Sequence, residues 1–152
     1  MRKSRFIALC CLAGTIACSF GSLEKAFVKL EHADRLVIDG PNYGGVKHSL
    51  TVKDPETIRD VLLFFERYPR GWNLVSGGGG DYDLFLYEDR RILGRFGITN
   101  SSTVTPGVDT LNFGDYFRRA PASEVAAFAR RLGLSWPPPR DSASSGQRAP
   151  KR

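Results

Sequence analysis

The chain has 152 residues, 41% of them hydrophobic and 25% charged, which is one ordinary domain with enough apolar side chains for a packed core and excludes wholesale disorder. Its formal charge of +6, from 22 Lys and Arg against 16 Asp and Glu, invites a nucleic-acid reading. The placement of the charges removes that reading: residues 1–18 and 137–152 each carry +3, and residues 19–136 hold 15 basic and 15 acidic side chains.

The chain begins with Arg2, Lys3 and Arg5, followed by an uncharged apolar run from Phe6 to Ala17. Twelve helical residues reach roughly 18 Å, short of the roughly 30 Å hydrocarbon core, so the run predicts a secretory signal peptide rather than a spanning helix. A buried N-terminal helix or an uncleaved signal anchor is the alternative. The run ends in Gly14-Thr15-Ile16-Ala17-Cys18, which resembles the lipobox of bacterial lipoprotein precursors, with Thr15 where that class most often has Leu. The resemblance implies a signal peptide of residues 1–17, and a diacylated Cys18 as the new N-terminus. It also implies membrane attachment through that lipid. About three acyl chains would give stable anchoring, where one binds only marginally. Ser19 in place of Asp implies forwarding to an outer membrane, facing the periplasm. Ordinary cleavage near Ser19 to Gly21 would instead release a soluble periplasmic or secreted protein. Cys10 and Cys11 leave with the leader in either case. No intramolecular disulfide and no thiolate metal site are expected.

Residues 18–32 read as a lipidated tether or short helix, with Leu23, Phe27 and Leu30 at i, i+4 and i+7. Residues 33–136 read as the globular domain. Arg35 to Asp39 predicts a short strand closed by the turn cluster Gly40-Pro41-Asn42-Tyr43-Gly44-Gly45. Val46 to Lys53 alternates strictly, with Val46, His48, Leu50 and Val52 on one face, and predicts a half-buried strand. Asp54 as N-cap, Pro55 at the first helical position and Glu56 in the first turn open a helix. Ile58, Val61, Leu62 and Phe65 form its core stripe, widened by Leu63 and Phe64, and Pro69 stops it near Tyr68. Trp72 to Val75 reads as a short strand or a covering loop. Asp81 to Glu88 and Arg91 to Ile98 predict two strands around Asp89-Arg90. Tyr82, Leu84 and Leu86 share one face of the first, Phe85 and Tyr87 the other. Ile92, Phe96 and Ile98 share a face of the second with Gly94. Val108 to Phe113 reads as a last strand. Ala122 to Leu132 predicts a second helix, with Val125, Phe128 and Leu132 inward, Arg130 and Arg131 in the last turn and Gly133 beyond the cap. After Pro137-Pro138-Pro139 no aliphatic or aromatic side chain larger than Ala remains, and residues 137–152 predict a disordered Pro, Ser and basic tail.

Most chemical motifs are missing. Ser76 to Gly80 lacks the Gly-Lys-Ser/Thr and helix that a phosphate cradle needs, so it reads as a flexible connection. Asp81 and Asp83 share a strand face but lack the further oxygen ligands that Ca²⁺ requires. His32 and His48, the two histidines, have no partner at zinc or nucleophile–base spacing. No catalytic residue, metal or cofactor is expected. The surplus of aromatic residues is more informative. Tyr43, Trp72, Tyr82, Phe85, Tyr87, Tyr116 and Phe117 cannot all enter one small core, and partly exposed aromatics favour a contact with protein, peptide or glycan.

The expected fold is therefore α+β, a mainly antiparallel sheet of four or five strands with two packed helices. Its pattern resembles that of the small domains of bacterial envelope lipoproteins. The expected function is non-catalytic binding or assembly support in the cell envelope, through Tyr43, Trp72, Tyr82, Phe85 and Tyr87, with no nucleic-acid partner. The alternatives are an envelope hydrolase using Asp39, Asp81 and Asp83, and an inhibitor presenting loop 76–81.

Overall fold

The structure, a computed structural model, describes residues 27–42, 48–74, 79–102 and 104–139. The leader, Cys18, Tyr43, Gly77, Gly78 and the basic tail lie outside the described residues. In chain order the elements are β1 (Arg35–Gly40), β2 (His48–Val52), α1 (Pro55–Glu66), β3 (Asn73–Leu74), β4 (Tyr82–Glu88), β5 (Arg91–Thr99), β6 (Val108–Phe113), β7 (Tyr116–Pro121) and α2 (Ala122–Arg131). The strands form one sheet in the order β2-β1-β4-β5-β6-β7-β3, and every neighbouring pair is antiparallel. The class is α+β as expected, but the sheet has seven strands rather than four or five.

The additional strands are β3 and β7. β7 reads Tyr-Phe-Arg-Arg-Ala-Pro, with no apolar face to betray it. It is placed by the two-residue connection Gly114-Asp115, with Gly114 at φ +55°, which closes a hairpin by pairing Phe113 with Tyr116.

Both helices lie on one face of the sheet. α1 starts where Asp54 accepts from the Thr57 backbone N–H at 2.9 Å and its hydroxyl at 2.6 Å, which draws the Asp54 carboxyl below its ordinary range. Its Ile58, Val61, Leu62, Phe64 and Phe65 are buried, while Leu63 turns outward at 43% exposure and does not widen the stripe as expected. Phe64 stacks on Phe128 of α2 at 3.9 Å, and Phe65 on Phe96 of β5 at 4.1 Å. Leu36, Ile38, Tyr82, Leu84, Leu86, Phe96, Ile98 and Leu111 complete the core from the sheet. Burying each such side chain is worth about 1.5–3 kcal/mol over leaving it in water.

Residues 27–30 are helical and pack on the same face. Leu30 is 1% exposed because Gly94 leaves room for it, a Cβ on Gly94 falling 2.6 Å from Leu30 Cδ2. Phe27 stacks on Phe113 at 5.4 Å. At the other end, Pro138 is buried, so the packed part reaches beyond Trp136.

Two sequence expectations fail at the strands. β2 is not half-buried: His48 to Thr51 are exposed, Leu50 at 47%, and Val52 alone packs on the core. Alternation marks the face correctly, but an edge strand extends past the area that the helices cover. The second failure concerns Ile92. The β4–β5 register shifts between Leu86 and Tyr87, so that Leu86 faces Gly94 while Tyr87 faces Ile92. The extra residue, Leu93, is a bulge, and it turns Ile92 away from Phe96 and Ile98 onto the opposite face, where it is 54% exposed.

Candidate functional site

No described helix covers the other face of the sheet. Cross-strand partners share a face, so the register assigns its surface in rows. One row runs Arg35, Tyr87, Ile92; the next Thr51, Val37, Phe85, Arg95; the next Ser49, Asp39, Asp83, Gly97, Asn112, Phe117.

Phe85 and Tyr87 occupy the middle of this face, two residues apart on β4 and therefore about 7 Å apart along the strand. Both are half-buried. Each carries a guanidinium: Arg35 lies 4.5 Å from the Tyr87 ring centroid and Arg95 lies 5.7 Å from that of Phe85. Arg35 is fixed by donating to the Asp89 carbonyl at 2.9 Å, and its Nε is buried without an acceptor. Arg95 is fixed by Asp83, which accepts from its Nε at 3.2 Å and its Nη2 at 3.0 Å. The Asp83 carboxylate also accepts from the Gly80 backbone N–H at 3.2 Å and the Asn42 amide at 3.0 Å. Four donors on one carboxylate hold it as an anchor for Arg95 and for the Gly79–Gly80 backbone. A cation over a ring contributes about 0.5–1 kcal/mol at such exposure, and the Nη1 of each guanidinium, which makes none of these bonds, remains to donate to a ligand.

Of the five residues expected to form a binding surface, the face holds Phe85 and Tyr87. Tyr82 is corrected: it is 4% exposed, shares the core face with Leu84 and Leu86, and donates its hydroxyl to the Ser135 carbonyl at 3.2 Å. Burial, and then the nearby Asp81 charge, push its phenol above the ordinary range. Trp72 is corrected in part: it is half-buried against the core, its indole N–H donating to the Tyr68 carbonyl at 2.7 Å. Tyr43 lies outside the described residues.

Of the three carboxylates of the hydrolase alternative, Asp81 and Asp83 each accept a backbone N–H. Asp39 and Asp83 are cross-strand neighbours on the helix-free face, while the Asp81 carboxylate accepts from the Asn100 N–H at 2.6 Å. Among the described residues no three His, Cys, Asp or Glu side chains converge as metal ligands, and no helix is long and apolar enough to cross a membrane.

Arg35, Arg95 and Ile92 are the residues that sequence reasoning did not assign to this surface. The signal for Arg95 was its alternation with Gly94 and Phe96. Its pairing with Phe85 depends on the bulge. No family model, curated protein or solved structure matches the chain.

Proposed function

We propose that this is a lipid-anchored protein of the bacterial cell envelope, whose domain binds a peptide or glycan without catalysing a reaction on it. The binding surface is the helix-free face around Phe85, Tyr87, Arg35, Arg95 and Ile92. The observation that carries the reading is the pair of guanidinium–ring stacks side by side on a face that no described helix covers. Rings offer apolar area at low entropy cost, and the ordered guanidinium edges donate to carbonyl, carboxylate or hydroxyl oxygens. An extended peptide or a flat sugar ring presents both surfaces at once. Cys18, through the lipobox resemblance, supplies the attachment that keeps such a domain in the envelope.

Two measurements test the reading. A photo-crosslinking residue at position 92 should capture an envelope component, and Phe85→Ala with Tyr87→Ala should abolish the adduct. The same residue at Asp60, exposed on α1, should capture none; equal capture at both positions would refute the surface assigned here. For the anchor, intact mass of the membrane fraction should show acyl chains that Cys18→Ser lacks. A soluble wild-type chain of unacylated mass would refute attachment through lipid.

A further inference from the structure

The geometry points to a second binding site, for a phosphate-bearing anion, at the sheet edge where β7 meets β3. Arg118 and Arg119, consecutive on β7, line a cavity there, and the chain from Arg67, the C-cap of α1, to Arg70 runs beside Arg118. Among the described residues the ion pairs are Arg91–Glu88 and Arg95–Asp83, and none of these four arginines belongs to one. Glu124, the acid beside them, accepts the Tyr68 hydroxyl at 2.5 Å.

Arg118 is held in place by the fold itself. The Arg118 guanidinium lies 4.8 Å from the Tyr68 ring centroid, and its Nη1 donates to the Arg70 carbonyl. Gly71, Asn73, Phe117, Arg118 and Arg119 line an open cavity of about 460 Å³. Gly71 lies against the Arg118 guanidinium: its φ of +82° favours glycine, and a Cβ there would be in van der Waals contact with Arg118 Nη1 at 3.7 Å and Cζ at 3.8 Å.

The arrangement suits phosphate better than carboxylate. Consecutive strand residues point to opposite faces, so Arg118 and Arg119 reach the cavity from different sides of β7. A carboxylate presents its two oxygens in one plane. A tetrahedral phosphate offers oxygens to both, and arginine forks match it bidentately. The same chemistry is presented by a free phosphate or phosphomonoester and by a phospholipid headgroup.

Trp72, between Gly71 and Asn73, is a built-in reporter, and Trp136 is the other tryptophan. The test uses the full chain carrying Cys18→Ser, so that acyl chains do not drive membrane binding. Tryptophan fluorescence is followed against inorganic phosphate at constant ionic strength, and against phosphatidylglycerol and phosphatidylcholine vesicles. A saturable change with phosphate is expected for the soluble source; a change with phosphatidylglycerol alone assigns the headgroup. Arg118→Gln with Arg119→Gln should weaken the response at least tenfold. Arg119→Gln alone, at an exposed position, should weaken it at least threefold, and decides the matter if the double variant misfolds. Arg130→Gln with Arg131→Gln, at the end of α2, should leave it unchanged. The site is overturned by the absence of any saturable response, by an Arg119→Gln variant that titrates like the parent, or by equal weakening in the α2 variant.

Discussion

Tyr68 links α1 to α2 and supports Arg118, so its hydroxyl makes a sharp test of how this end of the molecule is held. The ring is 7% exposed, and its O–H donates to Glu124 Oε2 at 2.5 Å. Burial first, then the hydrogen bond and the charge of Glu124, push the phenol from 10.0 up to about 12. The folded chain thus holds this proton more tightly than the unfolded chain does. The contribution to stability is whole below pH 10 and is lost as pH rises towards about 12, because deprotonation favours the unfolded state in that window. At about 1.4 kcal/mol per unit the ceiling is about 3 kcal/mol. Glu124 is exposed, so solvent screening brings the expected contribution to about 1–2 kcal/mol. Tyr68→Phe keeps the ring, and with it the stacks on Phe64 and Arg118, and removes the hydroxyl. Urea unfolding should show the parent more stable than Tyr68→Phe by about 1–2 kcal/mol at pH 9, with most of that gap closed at about pH 11.5. Comparison with the variant cancels the titration of every other group. A gap that stays constant across this range would refute the reasoning, since it would mean that the phenol proton is no better held in the folded chain.

Two further outcomes test the packing. Leu30→Ala should cost about 3 kcal/mol in urea unfolding, because it empties a fully buried position above Gly94; a cost under about 1 kcal/mol would show that residues 27–30 are not integral to the core. Gly40→Ala should cost about 3 kcal/mol or more, because φ is +149° and the new Cβ would meet Tyr82 Cδ1 at 2.5 Å and the Asp81 carbonyl at 2.6 Å. Unfolding near the parent midpoint would mean that β1 and β4 can separate at this end without loss.

Local signals made much of the fold legible. Asp54, Pro55 and the Ile58 stripe located α1, and Val125 and Phe128 located α2. The parity of Leu84 and Leu86 against Phe85 and Tyr87 separated the two faces of β4 before any partner strand was known. β7 escaped because its side chains do not alternate in polarity, although the Gly114-Asp115 turn behind Phe113 was a hairpin signal in plain view. The bulge was also written in the chain, in a form that only two constraints together disclose. A two-residue turn at Asp89-Arg90 pairs Glu88 with Arg91, and continuing that register would set Leu84 opposite Arg95 and Phe96 opposite Asp83. One extra residue resolves the conflict, returning Phe96 to Leu84 and Arg95 to Phe85. The candidate surface was legible only as an excess of aromatic residues. Which of them stay outside depends on where the helices lie: Tyr82 and Trp72 fall under the layer that covers the core, and Phe85 and Tyr87 do not.

The exposed edge strand β2 also bears on how the molecule keeps to itself. Its five residues, His48–Val52, contain no Lys, Arg, Asp, Glu, Pro or Gly, and one side of its backbone faces away from β1. Such an edge is a template onto which another copy could zip, growing a sheet across molecules. Antiparallel pairing of two copies about Leu50 sets Ser49 against Thr51 and His48 against Val52, which is favourable for a polar and apolar ladder. Lys53, the next residue, places a positive charge at one end of this ladder in each copy, and a charge beside such a strand disfavours extension of the pairing. Two copies related by symmetry carry it at opposite ends, so one residue guards both ends of such a dimer.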